Sequence, residues 1–242
     1  MKTSKKKDLY NRYGRINRFR LWLLCEKNAD SYFNNKELEC YTEENLEKEL
    51  KRHTVSELER MCNYYLRIFF EPWYVERMPK GFAALKTKLN AIISRKGDTE
   101  NKLKDRRNSS LDKIIKSAIG NRFEFGRMKS DCEFEVALHG SWMSPFSVYV
   151  NDYCLHLTLN DHTAVLNADW DKNREDDRVL GWEAAAKFYR NKKAWDDVSN
   201  TLKQYQFDIE ANEEKANTEI NEVLSETLKL IDRELEKLPI KN

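Results

Sequence analysis

The chain has 242 residues, 40% hydrophobic, 12% aromatic and 35% charged, and is long enough for one large domain or two small ones. The hydrophobic share and six Trp allow a core and exclude wholesale disorder, while no stretch approaches the ~18 apolar residues of a membrane span. The net charge of +2 conceals an asymmetry: residues 1–130 hold 30 Lys and Arg against 18 Asp and Glu, a net of +12, and residues 131–242 hold 13 against 23, a net of −10.

Such a division points to a basic contact surface from one half and an acidic one from the other. Three uses suit it: the two surfaces meeting each other, meeting another copy, or taking an external anionic partner. The five cysteines, Cys25, Cys40, Cys62, Cys132 and Cys154, are odd in number and at least 15 positions apart. That reads as reduced thiols rather than a disulfide framework or a zinc site. The apolar run Leu21–Cys25 stops at Glu26, short of the ~7–15 residues of a secretory h-region. The expectation is a cytoplasmic protein or one within a soluble particle, neither secreted nor membrane-spanning.

In chain order, residues 1–121 read as a basic helical region. The first helix runs from about Lys7 to Cys25, with Leu9, Tyr13, Ile16, Leu23 and Leu24 on a loose apolar stripe and Gly14 weakening it. Thr42 can cap a short helix carrying Leu46 and Leu50. Thr54 with Glu57 three residues later spells a capping box for a helix that must end before Pro72. The pair around Thr54 has the order of a helix-turn-helix but lacks the usual turn glycine. Two further helices are expected over Phe82–Arg95 and Ser110–Ala118, closed by Gly97 and Gly120, with a solvated charged stretch, Asp98–Arg107, between them.

The period then changes from helix to strand. Phe134, Val136 and Leu138 alternate with polar or small residues, as do Phe146, Val148 and Val150, then Tyr153, Leu155 and Leu157, then Ala164, Leu166, Ala168 and Trp170. Phe123 and Phe125 add a possible edge strand. Short connections make residues 122–171 an antiparallel meander of four to five strands, one apolar face of which would cover the N-terminal helices.

Residues 172–242 form an acidic long-helix region, and Trp182–Leu238 contains neither Gly nor Pro. Trp195, Val198, Leu202, Tyr205 and Ile209 step by three and four, and Leu224, Leu228, Ile231, Leu235 and Leu238 do so again. This is a coiled-coil-like seam with a discontinuity between Asn212 and Asn221. It predicts either a long C-terminal helix or a helical hairpin bent near the gap. The fold class is therefore α+β, the C-terminal region forming one composite domain with the sheet.

Three constellations could carry function. Lys5, Lys6, Lys7, Arg12, Arg15, Arg18 and Arg20 form a basic N-terminal arm with interleaved Tyr and Phe. It suits an acidic protein surface or, without base-reading motifs, non-specific nucleic acid, helped by Lys86, Lys88, Arg95 and Lys96. The seam residues Leu202, Tyr205, Ile209, Leu224, Leu228, Ile231 and Leu235 need a partner surface from the same chain or another copy. On the polar sheet face, Cys154 and His156 fall near Asn167 and Asp169, the residue types of an activated thiolate.

The run from Asp169 to Asp177 opens like a calcium loop. It has Arg174 and Leu180 where the EF-hand needs Gly and Glu. No phosphate loop, dinucleotide fingerprint or HExxH motif is present. Neither cofactor nor metal nor small-molecule substrate is implied. The expected function is a non-catalytic structural or assembly protein acting through protein–protein contacts, of the kind that forms an oligomeric component of a large particle such as a virion. A nucleic-acid-binding protein using the arm is the alternative, and an enzyme on the Cys/His face comes third.

Overall fold

The structure, a computed structural model, describes residues 2–25, 43–130, 132–140, 144–150, 155–159 and 172–238. Among these residues five helices come first: α1 (Lys2–Cys25), α2 (Glu43–Arg52), α3 (Val55–Ile68), α4 (Pro72–Val75) and α5 (Lys80–Ile119). Strands β1 (Phe123–Ser130), β2 (Glu133–Leu138), β3 (Phe146–Val150) and β4 (Leu155–Leu159) follow, then α6 (Lys172–Arg190) and α7 (Lys192–Glu236). This is the α+β layout: helices, an antiparallel sheet in the order β1-β2-β3-β4, and a long C-terminal helix. Among the described residues no helix is long and apolar enough to cross a membrane.

Contacts divide the chain into two compact units, Met1–Arg95 with Glu214–Asn242, and Lys96–Glu213. Helices α5 and α7 contribute to both.

In the first unit, the spacing of Leu9, Ile16, Phe19 and Leu23 puts all four on the buried face of α1. Phe19 stacks on Phe82 at 5.5 Å and meets Phe69 edge-on at 5.4 Å, within one core that also takes Leu58 and Leu66 from α3 and Val223, Leu224 and Ile231 from α7. The capping box is formed: Glu57 N donates to Thr54 Oγ1 at 3.2 Å, and Thr54 N to Glu57 Oε2 at 2.6 Å. Helix α3 stops at Ile68, and Pro72 opens α4 at a position where its missing N–H costs nothing.

In the second unit, Phe134, Val136, Phe146 and Val148 are fully buried on one sheet face. The register sets Phe134 opposite Val148 and Val148 opposite Leu157. This face lies on Leu111 and Ile115 from the end of α5, on Ala184, Ala185 and Phe188 of α6, and on Trp195 and Val198 of α7. Its cover is thus the last turns of α5 with the two helices that follow the sheet. Helices α1 to α3 place their apolar residues in the first unit's core, which they close together with α4, the start of α5 and the end of α7.

One expectation about a helix boundary is corrected, and one alternative is decided. Gly97 does not end a helix; α5 runs unbroken for 40 residues across Gly97 and the charged stretch. Lys, Arg and Glu are good helix formers, one glycine costs only about 1 kcal/mol, and pairs such as Lys96 with Glu100 at 3.7 Å support the segment. Gly120, by contrast, has φ +107° and ends α5, its N–H donating to Lys116 O at 3.0 Å. Of the two forms expected for the C-terminal seam, the long helix is the one present: α7 is continuous through Asn212–Asn221, because Ala216 and Ile220 fill the apparent gap in the seam and are buried. The break falls instead at Asn191, whose Oδ1 accepts Ala194 N at 3.1 Å and so caps α7.

Candidate functional site

Helix α1 is a core element, and most of its cations are engaged within the chain. Lys5 Nζ lies 2.6 Å from Glu59 Oε1. Lys6 Nζ donates to Leu50 O at 3.0 Å. Arg12 Nε lies 3.3 Å from Asp8 Oδ2. Arg15 Nε and Asp232 Oδ1 are buried atoms 3.4 Å apart, an ion pair without hydrogen-bond alignment. Arg20 donates to the Tyr74 hydroxyl at 3.3 Å and sits over the Tyr65 ring at 5.6 Å. Lys7 and Arg18 are exposed. The seven residues share one helix but not one pocket: Lys5 and Arg12 line one cavity, and Arg15 and Arg18 another.

The acidic counterparts come from the other end of the chain. In the first unit Arg15 meets Asp232, Lys88 meets Glu226 at 3.1 Å, and Arg95 meets Glu219. In the second unit Lys96 meets Glu213 at 3.3 Å and Arg106 meets Asp208 at 3.8 Å. Basic and acidic halves therefore meet within one molecule at these five pairs. Lys88, Arg95 and Lys96 are among the cations so used.

The seam finds its surface in the same way. Leu224, Leu228 and Ile231 are buried in the first unit's core, with Leu235 packed against it. Leu202 packs against the sheet's core, and Ile209 is half-buried. Tyr205 carries the Arg107 guanidinium over its ring at 4.5 Å. Arg107 is only 8% exposed, and its Nε and Nη2 donate to Asn108 Oδ1 at 3.0 and 2.8 Å. Nothing in the spacing of charges marks Arg107; only its place within the 103–107–111 row of α5 does.

On the polar sheet face, His156 is exposed and lies opposite Tyr149 in register. Cys154, Asn167 and Asp169, and the expected strand over 164–170, lie outside the described residues. The same holds for Asp171, while Asn173, Glu175, Asp176 and Asp177 fall within α6. Among the described residues no cluster of three or more His, Cys, Asp or Glu could hold a metal ion.

What the polar face does contain is a charge network. Glu135, 9% exposed, accepts from Arg127 Nε at 2.8 Å and lies 3.3 Å from Lys129 Nζ. Lys129 also donates to the buried Ser147 Oγ at 2.9 Å. Burial pushes the Glu135 carboxyl up, but hydrogen bonds from Arg127 and Lys129 outweigh it and hold the group below the usual carboxylate range. A Ser–Lys pair can serve as nucleophile and base. Here Ser147 is 1% exposed and Lys129 faces two carboxylates, Glu133 and Glu135, so the arrangement holds strands together.

The first unit also has a cavity of about 450 Å³ between α1, α3 and α7, with Leu9, Cys62, Leu66 and Leu224 as its floor and Lys5, Asp8, Arg12 and Glu59 at its rim. The Cys62 thiol donates to Leu9 O at 3.3 Å. Burial, above all, pushes its pKa up to about 11, so it is no nucleophile at neutral pH.

Large rings remain on the outside. Tyr64 and Trp73 in the first unit, and Trp182, Tyr189 and Phe207 in the second, are each more than half exposed. On α6 they belong to a pattern: Val179, Trp182, Ala186 and Tyr189, spaced three, four and three, are all exposed, while Ala184, Ala185 and Phe188 face the sheet. That spacing is present in the sequence but is easily overlooked beside the longer seam of α7. Comparison of the chain with protein families, with curated proteins and with solved structures finds no match.

Proposed function

We propose that the protein is a non-catalytic assembly protein that works through protein–protein contacts, as a repeating component of a larger particle would. The observation that carries this reading is the set of large aromatic rings left more than half exposed while the opposed charges and the helical seam are satisfied internally. Trp and Tyr are enriched among the residues that anchor interfaces, and contiguous apolar patches on a surface mark contact sites. The basic helix supports a nucleic-acid reading less well, since five of its seven cations already have partners in the chain.

Size-exclusion chromatography with light scattering, recorded at 260 and 280 nm on protein purified without a high-salt wash, tests the proposal. A defined oligomer with a protein-like absorbance ratio is expected. A monomer at every concentration, recovered alone, would overturn it. So would a raised 260 nm signal that disappears with nuclease, in favour of nucleic acid.

A further inference from the structure

We infer that the corner between α6 and α7 is a binding site for a phosphate monoester, a small molecule that carries a terminal phosphate dianion. The inference goes beyond the assembly reading and does not depend on it.

Residues 187–193 hold four cations, Lys187, Arg190, Lys192 and Lys193, and no acid, in the half of the chain whose net charge is −10. All four are exposed. Cations of α5 meet carboxylates of α7. The side chains of these four, by contrast, form neither an ion pair nor a hydrogen bond among the described residues. Lys187 and Arg190, one helical turn apart, repel each other, and no described carboxylate pairs with either.

The fold gathers them. Lys187, Arg190 and Lys192 line one concavity of about 630 Å³ with Glu183, Ala186 and Asn191, within the size range of small-molecule sites. The corner that forms it is tied from both helices: Asn191 Oδ1 accepts Ala194 N at 3.1 Å, and Trp195 Nε1 donates to Tyr189 O at 3.2 Å. Phe188 and Trp195, both buried, pack ring against ring at 5.0 Å. The cations thus stand on two helices whose relative position is set before a ligand arrives, and such pre-organisation favours binding.

Charge selects the ligand. Three cations and one carboxylate line the concavity, a net of +2. A phosphate monoester carries about −1.5 to −2 at neutral pH and three acceptor oxygens, so it balances the site. A carboxylate or a sulfate monoester, with one charge, leaves it under-neutralised. The Arg190 guanidinium can take two oxygens in its planar fork, while the lysines act as point charges. Glu183, with the exposed Asp196 and Asp197 one turn along α7, flanks the cations with negative charge and disfavours an extended polyanion such as nucleic acid.

Isothermal titration calorimetry of the full chain at low ionic strength is the test, with phenyl phosphate as probe and phenyl sulfate as the singly charged control. Saturable one-to-one binding of phenyl phosphate is expected, about 10-fold or more tighter than that of phenyl sulfate. Lys187→Ala/Arg190→Ala should weaken it at least about 10-fold. Both side chains are exposed, so the variant keeps its fold, which circular dichroism checks. Removing an exposed cation elsewhere, Lys229→Ala, should leave binding unchanged. No saturable binding, equal affinity for the two probes, or binding indifferent to the Lys187 and Arg190 changes would overturn the site. A lipid headgroup offers the same phosphate. Cosedimentation with phosphatidylcholine vesicles that contain phosphatidic acid, where phenyl phosphate does not bind, would overturn the small-molecule site in favour of a membrane surface.

Discussion

Glu135 shows how a single buried charge can govern part of the stability of the sheet. It is ionised because Arg127 and Lys129 hold it so, and its pKa lies below the usual range despite burial. A carboxyl with a depressed folded-state pKa stabilises the fold above its unfolded pKa, roughly 4.3. That contribution disappears as pH falls through the lower folded value. Stability followed by chemical denaturation should therefore decline below about pH 4.5, and Glu135→Gln should lose about 2 kcal/mol at neutral pH with a shallower acid decline. An acid profile identical to wild type would rule the network out as its cause. Cys62 gives a second check. With its thiol raised to about 11 by burial, alkylation of Cys62 at pH 7.5 should be many-fold slower than that of a free thiol, and should reach the free rate only on unfolding. Glu135 was legible as a polar-face residue of an alternating strand, but its two cationic neighbours come from β1, across a bulge that the alternation does not reveal.

Helix ends were legible wherever a side chain dictates backbone geometry, and illegible where tertiary contacts decide. Thr54 with Glu57 announced the start of α3, Pro72 its limit, and Gly120 the end of α5, each through a local requirement of capping, a missing N–H or a positive φ. Gly97 looked similar but has no such role. It lies inside α5, and a Cβ there would meet nothing within 4 Å. Gly97→Ala should thus raise stability by about 0.5–1 kcal/mol through lower unfolded-state entropy, whereas Gly120→Ala should lower it, since L side chains rarely adopt that φ. Thermal melting of the two variants separates a helix interior from a helix end. The seam of α7 was legible as a stripe, and its register was right at Leu224, Leu228 and Ile231. Its continuity through Asn212–Asn221 was not, because Ala216 is too small to stand out as a core residue until its neighbours are known.

At the scale of the whole chain, the charge division and the long helix are solutions to one problem. A narrow apolar seam needs help from its flanks. Glu213, Glu219 and Glu226 of α7 supply it to Lys96, Arg95 and Lys88 of α5. The sequence disclosed the opposed charges but not where they meet, since composition carries no information about pairing. The consequence reaches the simplest deletion experiment. Removing everything after Glu210 strips Ala216, Ile220, Val223, Leu224, Leu228 and Ile231 from the first core. It also takes the carboxylates that face Arg15, Lys88 and Arg95. Losing one large core side chain costs about 2–5 kcal/mol, so losing five, with Ala216 besides, matches or exceeds the ~5–15 kcal/mol that holds a domain together. The truncated chain should lose slow amide exchange throughout α1 to α3, while β2 and β3, whose core lies in Lys96–Glu213, keep theirs. Hydrogen exchange read by mass spectrometry reports both regions in one experiment. Protection retained in α1 to α3 would mean that those helices close a core without α7, and would return the seam of α7 to the surface as a site for a partner.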